Sequence, residues 1–520
     1  MKPQEENRLS KSLLLFLNEK FFNMITDRIN SLMLALLFIL SVGLPATAFE
    51  TDDDAPLYGE RWRPQYHFTP AHRWIGDPCG LVYADGKFRA YSWGCAESSD
   101  LVHWTEINNN AILGLPDGIA PFTGSVVVDR NNTAGYGEDA FIAAFTSFDE
   151  QSKKQSQSIA FSRDEGVTYN YYNRNPVLDI WSTEFRDPTV IWDEGTSRWI
   201  MLVARALEKK VAFYASSDLK HWEWLSDFGP MGDNEKSWEC PDMFRLPVEG
   251  EPGRSKWVLL VSVNWAREQY FVGEFDGTRF IPDHPYSEPL YVDAGLDYYA
   301  SRVFQDYDGT LPSVYTLGWV STWDYAQHVP TTYGKGVWSI PRELYMKSTP
   351  DGFRVCQRPL TALSGLRGKP WSMVSTLKPG VTPLRQIAAM DNTYELIAKI
   401  DARIPNMVGF DLCSDGDRKV RLTYDSASST LLLDRTHSSS ADIPKFSRIA
   451  FSKVEPADGL LNLRIFVDRS VVEVFVNDGE TVMTALTFPS DSGTGVSVFA
   501  LNPGASLNLT AYPLTSIHSK

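Results

Sequence analysis

The chain has 520 residues and only five cysteines, Cys79, Cys95, Cys240, Cys356 and Cys413. No two are spaced as CxxC and no histidine stands at a zinc-finger interval, so neither a metal nor a cofactor is expected. An odd, scattered set allows at most two disulfides. Cys79 and Cys240 read best as buried free thiols packing as small apolar groups, close enough to approach one another at a shared site. Positive charge is also short: 49 Lys and Arg stand against 65 Asp and Glu, for a formal net charge of −16. That balance argues against nucleic acid and against a stable membrane partner, and favours a neutral polar substrate. Long hydrophobic runs are scarce as well. Leu32 to Leu44 falls short of the roughly 20 residues of a membrane span, and it ends in Pro45-Ala46-Thr47-Ala48, a cleavage-type signal. Residues 1–48 are therefore expected to be a secretory signal peptide, of ordinary length if translation starts at Met24, with a signal anchor as the alternative. The sequons at Asn131 and Asn508 agree with a secreted, extracellular glycoprotein.

Helical periodicity is the last absence, and it sets the fold class. From about Pro56 to Pro359 short apolar runs such as 124–129, 199–204 and 257–263 are separated by turn signals. Ser98-Ser99-Asp100-Leu101-Val102-His103-Trp104 returns as Ser216-Ser217-Asp218-Leu219-Lys220-His221-Trp222, with a looser copy at 161–169. Repeats of four-strand size, each with a turn before an aromatic, mark β-propeller blades. The reading is all-β: a five-bladed β-propeller over 56–360, a linker over 361–383 rich in Gly, Ser, Lys and Pro, and a β-sandwich over 384–520. His103 and His221 recur with the repeat and are expected to support blade packing. Aromatics make up 13% of the chain, including 16 Trp, which suits strands and sugar-stacking surfaces.

Three acidic motifs punctuated by proline stand out: Trp74-Ile75-Gly76-Asp77-Pro78-Cys79-Gly80, Glu184-Phe185-Arg186-Asp187-Pro188 and Trp238-Glu239-Cys240-Pro241-Asp242. Each lies at the edge of a strand in a different blade, and a propeller gathers such edges at one mouth. Cleaving a glycosidic bond needs two carboxyl groups about the scissile oxygen, one ionised and one protonated. Asp77 on its turn is expected to stay ionised as nucleophile. Glu239, flanked by Trp238, is expected to be raised in pKa and to act as acid/base. Arg186 is expected to keep the neighbouring Asp187 ionised and aimed at substrate hydroxyls.

These motifs resemble glycoside hydrolase family 32, the invertase, inulinase, levanase and fructosyltransferase family. Trp74 to Gly80 is similar to its W-M-N-D-P-N-G motif, Arg186-Asp187-Pro188 to R-D-P, Glu239-Cys240 to E-C, and Phe122-Thr123-Gly124-Ser125 to F-S-G-S. The resemblance implies a propeller followed by a sandwich. It also implies a retaining reaction on β-fructofuranosyl linkages of sucrose or fructans, through a covalent fructosyl-enzyme intermediate. Asp77 is then the nucleophile, Asp187 the transition-state stabiliser and Glu239 the acid/base, with Trp74, Trp93, Phe122, Ser125, Arg186, Cys240 and Trp323 around the sugar. Two departures matter. Gly76 and Cys79 replace the two Asn of the first motif, and the segment 88–96 lacks a Gln and an Asn expected near the substrate, so a reshaped or more open pocket is expected. Some fungal fructosyltransferases of the family carry a similar G-D-P-C motif, which keeps transfer to a sugar acceptor as the alternative. An inactive fructan-binding protein and an inverting arabinanase-type propeller enzyme are the further rivals.

Overall fold

The computed structural model describes residues 56–518, so the expected leader over residues 1–48 lies outside the described residues. These residues are nearly all strand and turn. Between residues 80 and 359 five sheets of four to six strands follow one another in chain order. In the first, Gly80–Ala84, Lys87–Tyr91, Cys95–Ser98 and Thr105–Asn108 pair antiparallel in succession. Gln305–Asp306 returns from far along the chain to pair parallel with Gly80–Ala84.

The leading strands of the five sheets are Gly80–Ala84, Ile119–Asp129, Phe185–Asp193, Trp238–Pro247 and Tyr299–Val303, and each packs against the next, the fifth against the first. Covered on both faces, they are buried along nearly their whole length. Their buried residues include Asp, Glu, Arg, Thr and Ser, whereas the apolar runs at 199–204 and 257–263 fall in the second strands Arg198–Arg205 and Ser255–Val263.

The repeated seven-residue segment is the turn between a third and a fourth strand. Asp100 accepts from the backbone N–H groups of Val102 and His103, and Asp218 accepts likewise from Lys220 and His221. Each histidine closes the turn through Nδ1 on its aspartate, at 2.8 and 2.6 Å. Both imidazoles are solvent-exposed, so they brace a turn and do not pack sheets together, as the sequence had suggested. Short-range side-chain bonding of this kind repeats with the turn whether or not anything packs on it.

Two six-stranded sheets are built from residues 371–513. The stretch 361–383, expected as a linker, contributes a 3-10 turn over Thr361–Leu366 and the strands Trp371–Thr376 and Gly380–Pro383, one to each sheet. Its alternation of Trp371 and Met373 with polar residues, half-buried against the apolar cluster between the sheets, is hidden in the sequence by the Gly, Lys and Pro around it.

Candidate active site

Four of the five leading strands break register at one level. The irregularities fall between Pro121 and Gly124, Arg186 and Thr189, Glu239 and Asp242, and Tyr299 and Arg302. Proline has no N–H to give to a ladder, so Pro188 and Pro241 are placed where pairing lapses and the strand bulges. The residues before them, Asp187 at φ 63° and Cys240 at φ 46°, lie in the left-handed region, which a following proline makes still less comfortable. Such strain is tolerated where it turns a side chain out of the ladder. Here the bulges turn Asp187 and Cys240 toward Asp77.

Asp77 sits on the turn before Gly80–Ala84, pinned on both sides. Trp338 Nε1 donates to the Gly76 carbonyl at 2.8 Å, and the Cys79 N–H donates to the Tyr91 carbonyl at 2.7 Å. Thr123 Oγ1 donates to Asp77 Oδ2 at 2.7 Å, while Oδ1 is buried and has no hydrogen-bond partner. The Cys240 thiol stands 3.6 Å from both Asp77 Oδ2 and Asp187 Oδ2, and the Cys240 N–H donates to Asp187 Oδ2 at 3.1 Å. Burial pushes the Asp77 carboxyl up to about 7, with Asp187 adding to the shift and Thr123 opposing it. Burial also pushes Asp187 up, to about 6, against the pull of Arg186. Asp77 is thus a carboxyl whose ionisation the site resists, contrary to the expectation that it stays readily ionised.

Arg186 bonds elsewhere than the sequence suggests. Its Nε and Nη2 both donate to Glu239 Oε1, at 3.0 and 2.7 Å, and Nη1 donates to Glu184 at 2.7 Å, whereas its nearest approach to Asp187 is 3.9 Å. The other oxygen of Glu239 accepts from the Tyr299 hydroxyl. Trp238 does not flank the Glu239 carboxyl. Its ring packs with Phe228 and Phe271 in the core, because neighbours along a strand point to opposite faces.

The remaining expected residues divide. Trp74 stacks on Trp323 at 5.9 Å and 16°, beside Trp319, and its indole N–H is buried without a partner. A side chain at Gly76 would begin 3.0 Å from that nitrogen, so the glycine is what gives the indole its room. Trp93, Phe122 and Ser125 are all used internally. Trp93 donates to the Phe122 carbonyl at 2.8 Å, Phe122 stacks on Phe148 at 4.6 Å, and Ser125 accepts from the Val190 N–H at 3.0 Å. Within Phe122–Ser125 the residue that meets a carboxylate is Thr123. All five cysteines are free and buried, and Cys79 directs its thiol to the Asp77 carbonyl at 3.3 Å. A cavity of about 590 Å³ opens elsewhere on the leading strands, among Trp192, Asp242, Phe244, Trp257 and Tyr307. None of the three carboxylates lines it, so the chemistry and not the volume marks the site.

Carboxyl groups gathered from separate strands, one with a free oxygen and another gripped by a guanidinium, are the equipment for opening a glycosidic bond. The class is that of a glycoside hydrolase. The family model for the glycosyl hydrolases family 32 N-terminal domain matches residues 67–359, and that for the family 32 C-terminal domain matches residues 364–513. The chain belongs to glycosyl hydrolase family 32. It is 36% identical to a levanase of Bacillus subtilis, over 94% of this chain and 75% of that one. It is 32% identical to an extracellular exo-inulinase of Aspergillus ficuum, over 84% and 91%. Among solved structures, exo-inulinase from Aspergillus awamori superposes with a TM-score of 0.81 at 31% identity, covering 89% of this chain and all of that one. A fructofuranosidase from Schwanniomyces occidentalis complexed with fructosylnystose gives 0.77 at 28%, covering 89% and 99%.

Proposed function

We propose that the chain is a retaining β-fructofuranosidase that hydrolyses sucrose or fructans. Asp77 is its nucleophile, Glu239 its acid/base and Asp187 its transition-state stabiliser. The observation that carries the reading is the asymmetry of Asp77. Thr123 fixes Oδ2, and Oδ1 is left without a partner, aligned to attack an anomeric carbon. Glu239 gives a proton to the leaving oxygen and recovers one from the incoming water. Tyr299 serves both states of Glu239, since a hydroxyl can donate to the carboxylate or accept from the acid. Asp187, fixed by the Cys240 N–H, faces ring hydroxyls whose bonds strengthen as positive charge develops on the sugar.

The relatives carry the names levanase, exo-inulinase and invertase, which supports fructosyl linkages as the substrate class. In the same reading the five sheets between residues 80 and 359 are the blades of a propeller, the two six-stranded sheets over 371–513 form a sandwich that starts earlier than the residue 384 expected, and the chain is exported as the extracellular relatives are. No helix among the described residues is long and apolar enough to cross a membrane.

The test is a time course of glucose and fructose from sucrose, repeated with inulin and levan, with Asp77→Asn as blank. Equal glucose and fructose from sucrose are expected. Glucose well above fructose would replace hydrolysis by fructosyl transfer, and no product from any of the three would overturn the reading.

A further inference from the structure

Beneath the three carboxylates lies a cation that the reaction just described does not use. Arg302 is on the leading strand of the fifth sheet, three residues after Tyr299, and is 2% exposed. Its Nη1 reaches Thr189 Oγ1 and donates to the Pro241 carbonyl at 3.3 Å, while Thr189 Oγ1 donates to the same carbonyl at 2.6 Å. Thr189 is two residues past Asp187, and Pro241 is two past Glu239. Pro241 lies inside the bulge that follows Glu239, and Thr189 is where pairing resumes, opposite Leu202, just past the bulge that carries Asp187. The partners of Nη1 are neutral oxygens, and Nε and Nη2 are buried without partners. A buried guanidinium so poorly satisfied is unfavourable by itself. It is compensated by the carboxylates around it, with two neutral thiols beside them.

Those groups come from four elements around Arg302, while the strands Ser255–Val263 and Val314–Trp319, also packed on its strand, bring no charged group to it. Asp77 and Cys79 face it from the turn before the first sheet, Asp187 from the Phe185–Asp193 strand, and Cys240 and Asp242 from the Trp238–Pro247 strand. Glu268 faces it from Arg267–Phe275. Arg186 is the other cation of the site, and it is engaged with Glu239 and Glu184.

We propose that Arg302 is a positioning residue for the glycosidic reaction, clasping the two bulges that carry Asp187 and Glu239 and supplying the fixed buried charge that holds Asp77 and Asp187 in their anionic forms. The role rests on the assignment of those three carboxylates made above. Arginine suits it because the guanidinium keeps its proton when buried and its fork reaches two acceptors together. Burial drives Asp77 and Asp187 upward, and Arg302 opposes the shift in both. Without the cation both rise further, and the enzyme loses its ionised nucleophile at a higher pH.

The experiment is the pH profile of kcat/KM for fructose release by the wild type, Arg302→Gln and Arg302→Lys. Arg302→Gln is expected to move the acid limb up by about one unit, so that activity below the limb falls about tenfold. Arg302→Lys retains the charge but not the two-acceptor fork. Its acid limb is expected to stay in place while plateau kcat falls by about tenfold or more, the effect of loosened carboxylates. An active wild type whose acid limb Arg302→Gln leaves unmoved overturns this role alone. So does an Arg302→Lys limb raised by a full unit, which remains readable if the glutamine variant does not fold. A wild type that releases no fructose from sucrose, inulin or levan removes the assignment of the site, and this role with it.

Discussion

At the junction between the fifth sheet and the two six-stranded sheets, Glu473 and Asp468 are as deeply buried as Asp77 and Asp187 are at the active site, but their surroundings are the reverse. Glu473 accepts from the Ile340 N–H at 2.9 Å, from Arg342 at 3.2 and 2.7 Å, and from His67 at 3.1 Å. Asp468 accepts three backbone N–H groups, from Gln65, Tyr66 and His67, and His67 Nδ1 at 2.8 Å. Burial alone would raise Glu473, yet Arg342 and His67 hold it below the ordinary carboxylate range. Burial would lower His67, yet its two carboxylates push it up to about 9. At Asp77 one oxygen has a hydroxyl and a thiol and the other has nothing, and burial wins. In the junction cluster both oxygens of Glu473 and both of Asp468 are bonded. At Asp77 the chain leaves one buried oxygen without a partner, the one that the proposed reaction uses.

The sharpest way to break the comparison is to neutralise each cluster and ask what is lost. Asp77→Asn and Glu239→Gln should each lower kcat by about a thousandfold or more with the fold intact, since each removes a group acting in the transition state. Near-normal turnover in either variant rejects its role. Glu473→Gln should do the opposite. It leaves Arg342 and His67 facing an uncharged amide in the interior, a loss of about 3–5 kcal/mol in urea unfolding, with kcat per folded molecule unchanged. An unshifted unfolding midpoint would show that the junction cluster does not hold the two parts together.

The sequence made the first cluster easier to see than the bonds that run it. Asp77-Pro78, Asp187-Pro188 and Glu239-Cys240-Pro241 were legible because proline in a strand announces an interruption, and an acid at an interruption needs a reason. Arg186 and Trp238 were misread through adjacency. Each was taken to act on its neighbour, but side chains alternate along a strand, so Arg186 reaches Glu239 and Trp238 turns to the core. Tyr299 and Arg302 carried no signal of their own, and Thr123 only its place in the Phe122–Ser125 segment. They lie in strands that read as core, and their partners are 46, 60 and 113 residues away in sequence. The first and third sheets announced themselves through the Asp100 and Asp218 turns, and the second through the looser copy at 161–169. The edge strands at Trp371 and Gly380 did not, because polar and turn-forming residues surround them.

The junction also fixes a sign in the pH dependence. His67 has a folded pKa of about 9 against about 6.5 in the unfolded chain. Its contribution is fully present below about 6.5 and is lost as pH rises through 9. Replacing it with Gln should flatten the alkaline arm of the Tm profile, by an amount equivalent to about 2 kcal/mol. An alkaline arm as steep in His67→Gln as in the wild type would place the titrating group elsewhere.

The smallest expected effect tests the comparison most directly, because it asks whether the reactive carboxylate is held against its own stability. Asp77 ionises near 7 in the folded chain and near 3.9 in the unfolded one. Between these values the native state binds the proton more tightly, so the wild type loses stability as pH rises from about 4 to about 7, and above that range the whole penalty is present. Asparagine cannot ionise and keeps an oxygen that can accept from Thr123. Asp77→Asn should therefore be more stable than the wild type by about 1–2 kcal/mol at about pH 7.5, and the difference should vanish near pH 4. Thermal unfolding of the two proteins at both pH values measures it. A gain confined to neutral pH would mean that the same ionised oxygen which performs the chemistry weakens the fold. No gain, or one that persists at pH 4, would mean that Asp77 is as well accommodated as Glu473 and that the two clusters differ in position rather than in kind.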